Sequence, residues 1–306
     1  MPKIITVTPN PTFDFAVDAD FVEANRKLRC KDPQSHPGGG GINVARAAHR
    51  LGADVLSIIT TGGPYGDAVK SLLDKERIPH HPIEISGQTR IAFHVHDLSA
   101  DSEYRFNLPG PVLTEGEVER LLSAIAQAAH EGDFVIGSGS LPNGEPSNFW
   151  ARAAKVAKDS GAFFVLDSIH GVEDALDEGI FLLRQNKYEY PALAKHELEW
   201  PDEIAAFATS LVHDGKATKV SITHGGDGSI LASADGIAKS KAFPVKPQSA
   251  VGAGDSFVGA MAVALSRKWS DEEAVRYGMS AAAATRMTAG SQLFDADQVE
   301  QFFHSN

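Results

Sequence analysis

From Thr114 onward the chain alternates short β-rich runs with helical stretches, and few folds accept that rhythm. Strands are predicted at Phe134 to Gly137, Phe163 to Asp167, Ile180 to Leu183, Lys219 to Thr223 and Ser229 to Ala232. Helices from Pro146 to Ser160, near Tyr190 to Glu199 and from Asp202 to His213 fall between them. Thr114 and Glu117 form a capping box for a helix with Val118, Leu121, Leu122 and Ile125 on one face, closed by Gly132. Ser270 and Glu273 form a second, for a helix through Thr288. Upstream, Ile4 to Val7 and Val55 to Thr60 read as strands, and Ile42 to Leu51 and Asp67 to Lys75 as helices. This pattern implies an α/β fold: a doubly wound, mostly parallel sheet with helices on both faces and ligands at the carboxyl ends of the strands. No repeat or low-complexity tract interrupts it, so 1–306 reads as one domain.

Four segments break the rhythm by alternating apolar and polar residues with period two. They are Phe13 to Asp18, Lys27 to Cys30, Arg90 to His96 and Tyr104 to Phe106. They are expected to form antiparallel strands of a small β lid built from about 12–35 and 88–108. Phe13, Phe15, Phe93, Val95 and Phe106 would line one face, with Asp14, Lys27, Arg90 and Arg105 on the other. An apolar face of that size needs cover, and a second identical lid supplies it through a two-fold contact, so a homodimer is expected.

The net charge of −12 argues against nucleic acid or an anionic membrane as a partner, so any bound phosphate must meet a local cationic cluster. Lys27, Arg90 and Arg105 are the candidates, although such charges on exposed strands commonly serve only as solvated edge residues. Cys30 is the one cysteine, and the N-terminus lacks a signal-peptide pattern; the expected address is the cytoplasm. The sequence has no Gly-x-x-x-x-Gly-Lys-Ser/Thr, no Gly-x-Gly-x-x-Gly and no zinc-ligand spacing among its twelve histidines.

Ser249 to Met261 is a glycine-bearing turn leading into a helix with Phe257, Met261 and Leu265 at i, i+4 and i+8. Gly252 and Gly254 let the amides converge at a helix N-terminus, which favours an anion such as phosphate. Asp255 has two readings there: a helix cap, or a base that takes a proton from an attacking hydroxyl.

Val251-Gly252-Ala253-Gly254-Asp255-Ser256-Phe257 resembles the C-terminal signature of the PfkB, or ribokinase-like, carbohydrate kinases. Pro37-Gly38-Gly39-Gly40-Gly41-Ile42-Asn43-Val44-Ala45-Arg46-Ala47 resembles their N-terminal signature. Between them, Lys27-Leu28-Arg29-Cys30, Thr89-Arg90, Tyr104-Arg105-Phe106, Gly139-Ser140-Leu141-Pro142 and Val165-Leu166-Asp167-Ser168 are similar to the minor, ATP-dependent 6-phosphofructokinase branch.

The resemblance implies a kinase that phosphorylates fructose 6-phosphate with ATP and magnesium, with 1-phosphofructokinase and tagatose-6-phosphate kinase as alternatives within the class. A nucleoside kinase and a non-catalytic sugar-phosphate sensor are the more distant ones. It makes Asp255 the base, gives the amides of Ala253, Gly254 and Asp255 to the transferring phosphoryl group, and places Gly252 with Gly254 in the turn that meets the nucleotide. It assigns Lys27, Arg90 and Arg105 to the sugar's phosphate, and Asp14, Gly38, Gly39, Asn43 and Ser140 to the sugar. Arg184-Gln185-Asn186-Lys187-Tyr188-Glu189 stands for Lys-Pro-Asn-x-x-Glu. Asn186 and Glu189 would organise hydrated magnesium, Arg184 keeps the charge, and Gln185 is expected to loosen the turn. Thr223 and Gly225 would meet the nucleotide phosphates. Carbonyls of Ser249, Val251, Thr285, Thr288 and Gly290 would hold a monovalent cation, potassium.

Overall fold

The computed structural model describes residues 2–144, 148–288 and 290–305. The first part of the chain runs β1 (Ile4–Thr8), β2 (Thr12–Ala19), β3 (Cys30–Gly38), α1 (Gly40–Arg50), β4 (Val55–Thr61), α2 (Gly63–Lys75), β5 (His80–Glu84), β6 (Arg90–Asp97) and β7 (Ser102–Asn107). Next come α3 (Glu115–Ala128), β8 (Phe134–Ser138), α4 (Phe149–Asp159), β9 (Phe163–Asp167), α5 (Val172–Asp177), β10 (Ile180–Asn186), α6 (Tyr190–Ala194), α7 (Asp202–His213) and β11 (Ala217–Thr223). The chain ends with β12 (Ser229–Ser233), β13 (Gly236–Ser240), α8 (Ala253–Ser266), α9 (Asp271–Arg286) and α10 (Ala296–His304).

Nine strands form one sheet in the order β13-β12-β11-β10-β9-β8-β1-β4-β5. The ladders from β5 to β11 are parallel, and β12 and β13 add an antiparallel edge. Burial on both faces explains why the central strands are apolar without alternation. Ile4 packs with α1, α8 and α9 on one side, while Ile5 and Val7 pack with α3, α4 and α7 on the other. From β1 the chain builds outward through β4 to one edge and returns through β8 toward the other. The carboxyl ends of β1 and β8 therefore flank the point where the winding reverses, which is where open α/β sheets bind ligands. Both capping boxes form: Thr114 Oγ1 accepts from the Glu117 amide at 3.3 Å, and Ser270 Oγ from the Glu273 amide at 3.2 Å. Among the described residues no helix is long and apolar enough to cross a membrane.

The small sheet has the order β3-β2-β6-β7. Its outer ladders are antiparallel, as expected, but the central β2 to β6 ladder is parallel. The second of the expected lid strands is also displaced. Cys30 opens β3, which continues to Gly38, so Lys27 lies in the exposed loop ahead of it and not on a strand. Gly38 thus ends a strand and α1 begins at Gly40. Strands β5 and β13 and helices α5 and α10 lie outside the elements expected from sequence. The expected helix start at Pro146 lies outside the described residues, and α4 is seen from Phe149.

Candidate active site

Helix α8 begins at the reversal point. Gly252 is its N-cap with φ +75°, a left-handed conformation that glycine adopts without a Cβ clash. The first bond into the helix runs from the Ser256 amide to the Gly252 carbonyl at 2.8 Å. The amides of Ala253, Gly254 and Asp255 therefore have no acceptor within the helix. Asp255 does not cap α8. Its Oδ2 accepts from Asn43 Nδ2 on α1 at 2.9 Å, which answers the capping alternative.

Ser138, Ser140, Asp167, Glu189 and Asp255 line a cavity of about 320 Å³ at the carboxyl ends of β8, β9 and β10. Arg184 stands among them. It donates to Asp167 Oδ1 at 2.9 Å and to Thr223 Oγ1 at 2.8 Å, while its Nε is buried without a partner. Ser138 Oγ gives Asp167 a second bond at 3.1 Å. Three carboxylates around one guanidinium leave negative charge in a poorly hydrated place. Burial first, then the Asp167 charge, pushes Asp255 up to about 7, against the Asn43 hydrogen bond and Arg184. Glu189 is raised by burial and then by Asp167.

The turn after β10 is firm despite its missing proline. Gln185 is buried and its Nε2 donates to the Ser168 carbonyl at 2.8 Å, which corrects the expectation of a loosened turn. Glu189 Oε2 accepts from the Asn186 amide at 2.8 Å, and Asn186 Oδ1 accepts from the Tyr188 amide at 2.8 Å. Beyond Arg184, Asn186 and Gly254, which line both spaces, lies a second cavity of about 230 Å³. Its walls include Phe243, Val245, Phe257 and Met279, with Thr223, Gly225, Lys187 and Arg286 at polar positions. An apolar slot that opens onto cations and a helix N-terminus suits a planar base with attached phosphates.

On the other flank, Asp14 on β2 lies against the end of β3. A Cβ on Gly38 would stand 2.3 Å from Asp14 Oδ2, so any larger residue there would push the Asp14 carboxylate out of place. Asp14 is pushed up to about 6, mainly by burial, with the Thr12 hydroxyl, Arg90 and Arg46 opposing. Its Oδ1, like Thr8 Oγ1 and Asn10 Oδ1, is buried without a hydrogen-bond partner. A row of buried oxygens lacking partners fits a ligand rich in hydroxyls. Asn10 Nδ2 reaches across to Ser140 Oγ at 3.1 Å and joins the two sides of the reversal.

The cationic trio is only partly assembled. Arg90 is half-buried and reaches the Asn10 carbonyl at 3.3 and 3.4 Å. The strand registers put Arg105 on the same face as Asp14, but it stands opposite His94 and pairs with Glu103. Lys27 is exposed in its loop. Gly39, the N-cap of α1, adjoins Thr8.

The loop holding Ser249 and Val251 is tied to the end of α9, because the Gln248 and Ser249 amides share the Arg286 carbonyl at 2.7 and 3.4 Å. The Thr285 carbonyl already accepts from Thr288 Oγ1 at 2.8 Å, and Gly290 follows with φ +55°. Among the described residues no group of three His, Cys, Asp or Glu side chains is placed to hold a metal by itself. A divalent ion here would have to share its coordination with a phosphate.

A roomier cavity of about 780 Å³ opens at the opposite, amino ends of the strands, around Phe134, Phe163, Phe181 and Trp269. Its Lys219 and Asp271 satisfy each other at 2.6 Å, and it offers no carboxylate poised like Asp255. Sequence reasoning did not assign Asp167, Asn10 or Arg46 to the site. A carboxylate closing a parallel strand, as Asp167 does, is the signal that would have found the first.

A family profile described as pfkB family carbohydrate kinase matches residues 9–297. The chain is 37% identical over 302 residues to ATP-dependent 6-phosphofructokinase isozyme 2 of Mycobacterium tuberculosis, covering 99% of this chain and 89% of the relative. It is 35% identical over 305 residues to the protein of that name in Escherichia coli, covering 99% and 98%. The crystal structure of the Escherichia coli phosphofructokinase-2 in complex with fructose-6-phosphate superposes with a TM-score of 0.93 at 35% identity, over 99% of this chain and 98% of that one.

Proposed function

We propose that this chain, which belongs to the pfkB family of carbohydrate kinases, transfers the γ-phosphoryl group of ATP to the C1 hydroxyl of fructose 6-phosphate, giving fructose 1,6-bisphosphate. The observation that carries the reading is the placement of Asp255: at the mouth of a helix whose first amides are free, yet turned away from capping and held by Asn43. A carboxylate beside a phosphate site needs a purpose, and taking the hydroxyl proton supplies one.

Asp255 accepts the C1 hydroxyl proton as that oxygen bonds to the γ-phosphorus and the bond to the β–γ bridging oxygen breaks, releasing ADP. The amides of Ala253, Gly254 and Asp255 point at the charge spread over the transferring group. The slot beside Phe243 and Phe257 takes the base, Arg184 and Thr223 meet the phosphates, and Asp14, Asn43, Gly38 and Ser140 take the sugar hydroxyls. Arg90 and Arg105, with Lys27, hold the 6-phosphate. Asn186 and Glu189 fit magnesium bound through water, since both are oxygen donors in a site with excess negative charge. When bound there it neutralises charge on the β- and γ-phosphates. A potassium ion at the carbonyls of Ser249, Val251, Thr285, Thr288 and Gly290 would steady the loop preceding Gly252, and replacing potassium by tetramethylammonium would then lower turnover.

The lid also supports a homodimer. Phe13, Phe15, Phe93 and Phe106 stack in succession at 6.4, 5.8 and 6.4 Å. Phe13 is covered by Tyr65 of the body, whereas Phe106 is 54% exposed and Tyr104 beside it 40%.

The test is Asp255→Asn. Turnover should fall by roughly 10²-fold to 10⁴-fold, the range for a positioned base, with nucleotide binding and fold retained. A folded variant with near-normal turnover would remove Asp255 from the chemistry.

A further inference from the structure

Behind Asn43 lies a buried cation that neither the sugar nor the nucleotide reading uses. Arg46 stands one turn along α1 from Asn43 and is 1% exposed. Its Nε and Nη2 grip both carboxylate oxygens of Glu76, just past the end of α2, at 2.7 and 2.8 Å. Its Nη1 donates to Asn43 Oδ1 at 3.2 Å and to the Ser291 carbonyl at 3.3 Å. Ser291 in turn sets its hydroxyl 3.5 Å from Asp14 Oδ2.

A guanidinium can only donate. The Asn43 atom that faces Arg46 must therefore be the oxygen, which leaves the amide nitrogen aimed at Asp255, where it donates at 2.9 Å. A flipped amide would set N–H against N–H on one side and oxygen against carboxylate on the other. We infer that Arg46, clamped by Glu76, is a positioning residue for the phosphoryl transfer: it locks the Asn43 amide in the one orientation that holds the Asp255 carboxylate, and it ties the loop at Ser291 to the sugar-side carboxylate Asp14. This rests on the reading of Asp255 as the base.

A simple structural brace between α1 and α2 would need only the two bonds to Glu76. The third contact, to the side chain that holds the base, is what separates the two roles. The charged groups facing Asp255 are Asp167 on β9, Arg184 on β10 and Glu189 beyond it, whereas Arg46 is linked to Asp255 through Asn43. Loss of the Asn43 hydrogen bond removes a contact that favours the ionised carboxylate, so the base should titrate higher.

The test is the pH profile of kcat/KM for Arg46→Lys, with Asp255→Asn alongside. Lysine keeps the charge, so distant electrostatics are unchanged, but it cannot form the fork. Turnover should fall about tenfold or more, the acid limb should move upward by about one pH unit, and KM for ATP should hold. A folded Arg46→Lys enzyme with the wild-type acid limb overturns the proposal, whether or not its Tm falls, because a brace alone would lower stability and leave the limb in place. If Arg46→Lys does not fold, Glu76→Gln decides. That side chain is 25% exposed, and its variant should move limb and turnover in the same direction by less, while an unmoved limb again overturns the proposal. Should Asp255→Asn retain turnover, the base assignment itself fails, which is distinguishable from an inactive Asp255→Asn beside an unaltered Arg46→Lys.

Discussion

At the scale of single residues the site is defined by what is left unsatisfied. Asp255 is raised from 3.8 to about 7, chiefly by burial, so over that interval the folded protein keeps a proton that the unfolded chain has lost. Its contribution to stability is complete below pH 3.8 and disappears as pH rises through about 7. Asp255→Asn should therefore be more stable than wild type at pH 8, by up to about 4 kcal/mol for a displacement of about three pH units, and no more stable below pH 4. Thermal melts at the two pH values check this, and an equal shift at both would contradict it. In the ligand-free enzyme the same titration should place the acid limb of kcat/KM near pH 7, with activity rising toward higher pH. Arg90→Ala removes a charge-assisted contact of about 1.5 to 3 kcal/mol, so KM for the sugar phosphate should rise roughly tenfold to a hundredfold, with KM for ATP unchanged. Arg105→Ala should do less, since Arg105 is more exposed and already paired with Glu103. Steady-state kinetics with each substrate varied would reveal an equal effect on both, which would take Arg90 out of the sugar site. Asp255, Asn43 and Asp14 were legible in the sequence because their motifs are local. Asp167 and Arg46 were not, because their roles depend on partners 17 and 30 positions away.

At the scale of elements, legibility followed how local each element's cause is. The helices opened by Thr114 and Ser270 announce themselves through two residues three apart, and both boxes form. Strand β3 was misplaced because its sequence, Cys-Lys-Asp-Pro-Gln-Ser-His-Pro-Gly, is polar and carries two prolines, a pattern that only an edge strand accepts. The parallel pairing of β2 with β6 could not be read at all, since direction depends on the path of the chain between them. The lid's exposed end leads to a prediction at this scale. Phe106→Asp puts a charge on the open end of the aromatic stack and should turn a dimer into a monomer with weakened sugar-phosphate affinity. Sedimentation at low micromolar protein reads the outcome: a wild-type monomer of full activity would refute assembly through the lid.

At the scale of the whole molecule, one sheet reversal gathers everything. The chain leaves the paired strands β1 and β8 toward opposite faces there, α8 points its amides at their carboxyl ends, β9 and β10 bring Asp167 and Arg184, and the lid strands bring Asp14 and Arg90. The alternation of strands and helices made this architecture readable. The sugar remained open, because which buried oxygen would meet which sugar hydroxyl depends on placement in space, as for Asn10 Oδ1 and Asp14 Oδ1, and not on residue order. The measurement that bears on it most directly is ADP release across fructose 6-phosphate, fructose 1-phosphate, tagatose 6-phosphate, unphosphorylated hexoses and adenosine, with the product identified by phosphorus NMR. The highest kcat/KM is expected for fructose 6-phosphate, with fructose 1,6-bisphosphate as product. A higher value for fructose 1-phosphate or adenosine, or no transfer to any sugar phosphate, would contradict the assignment.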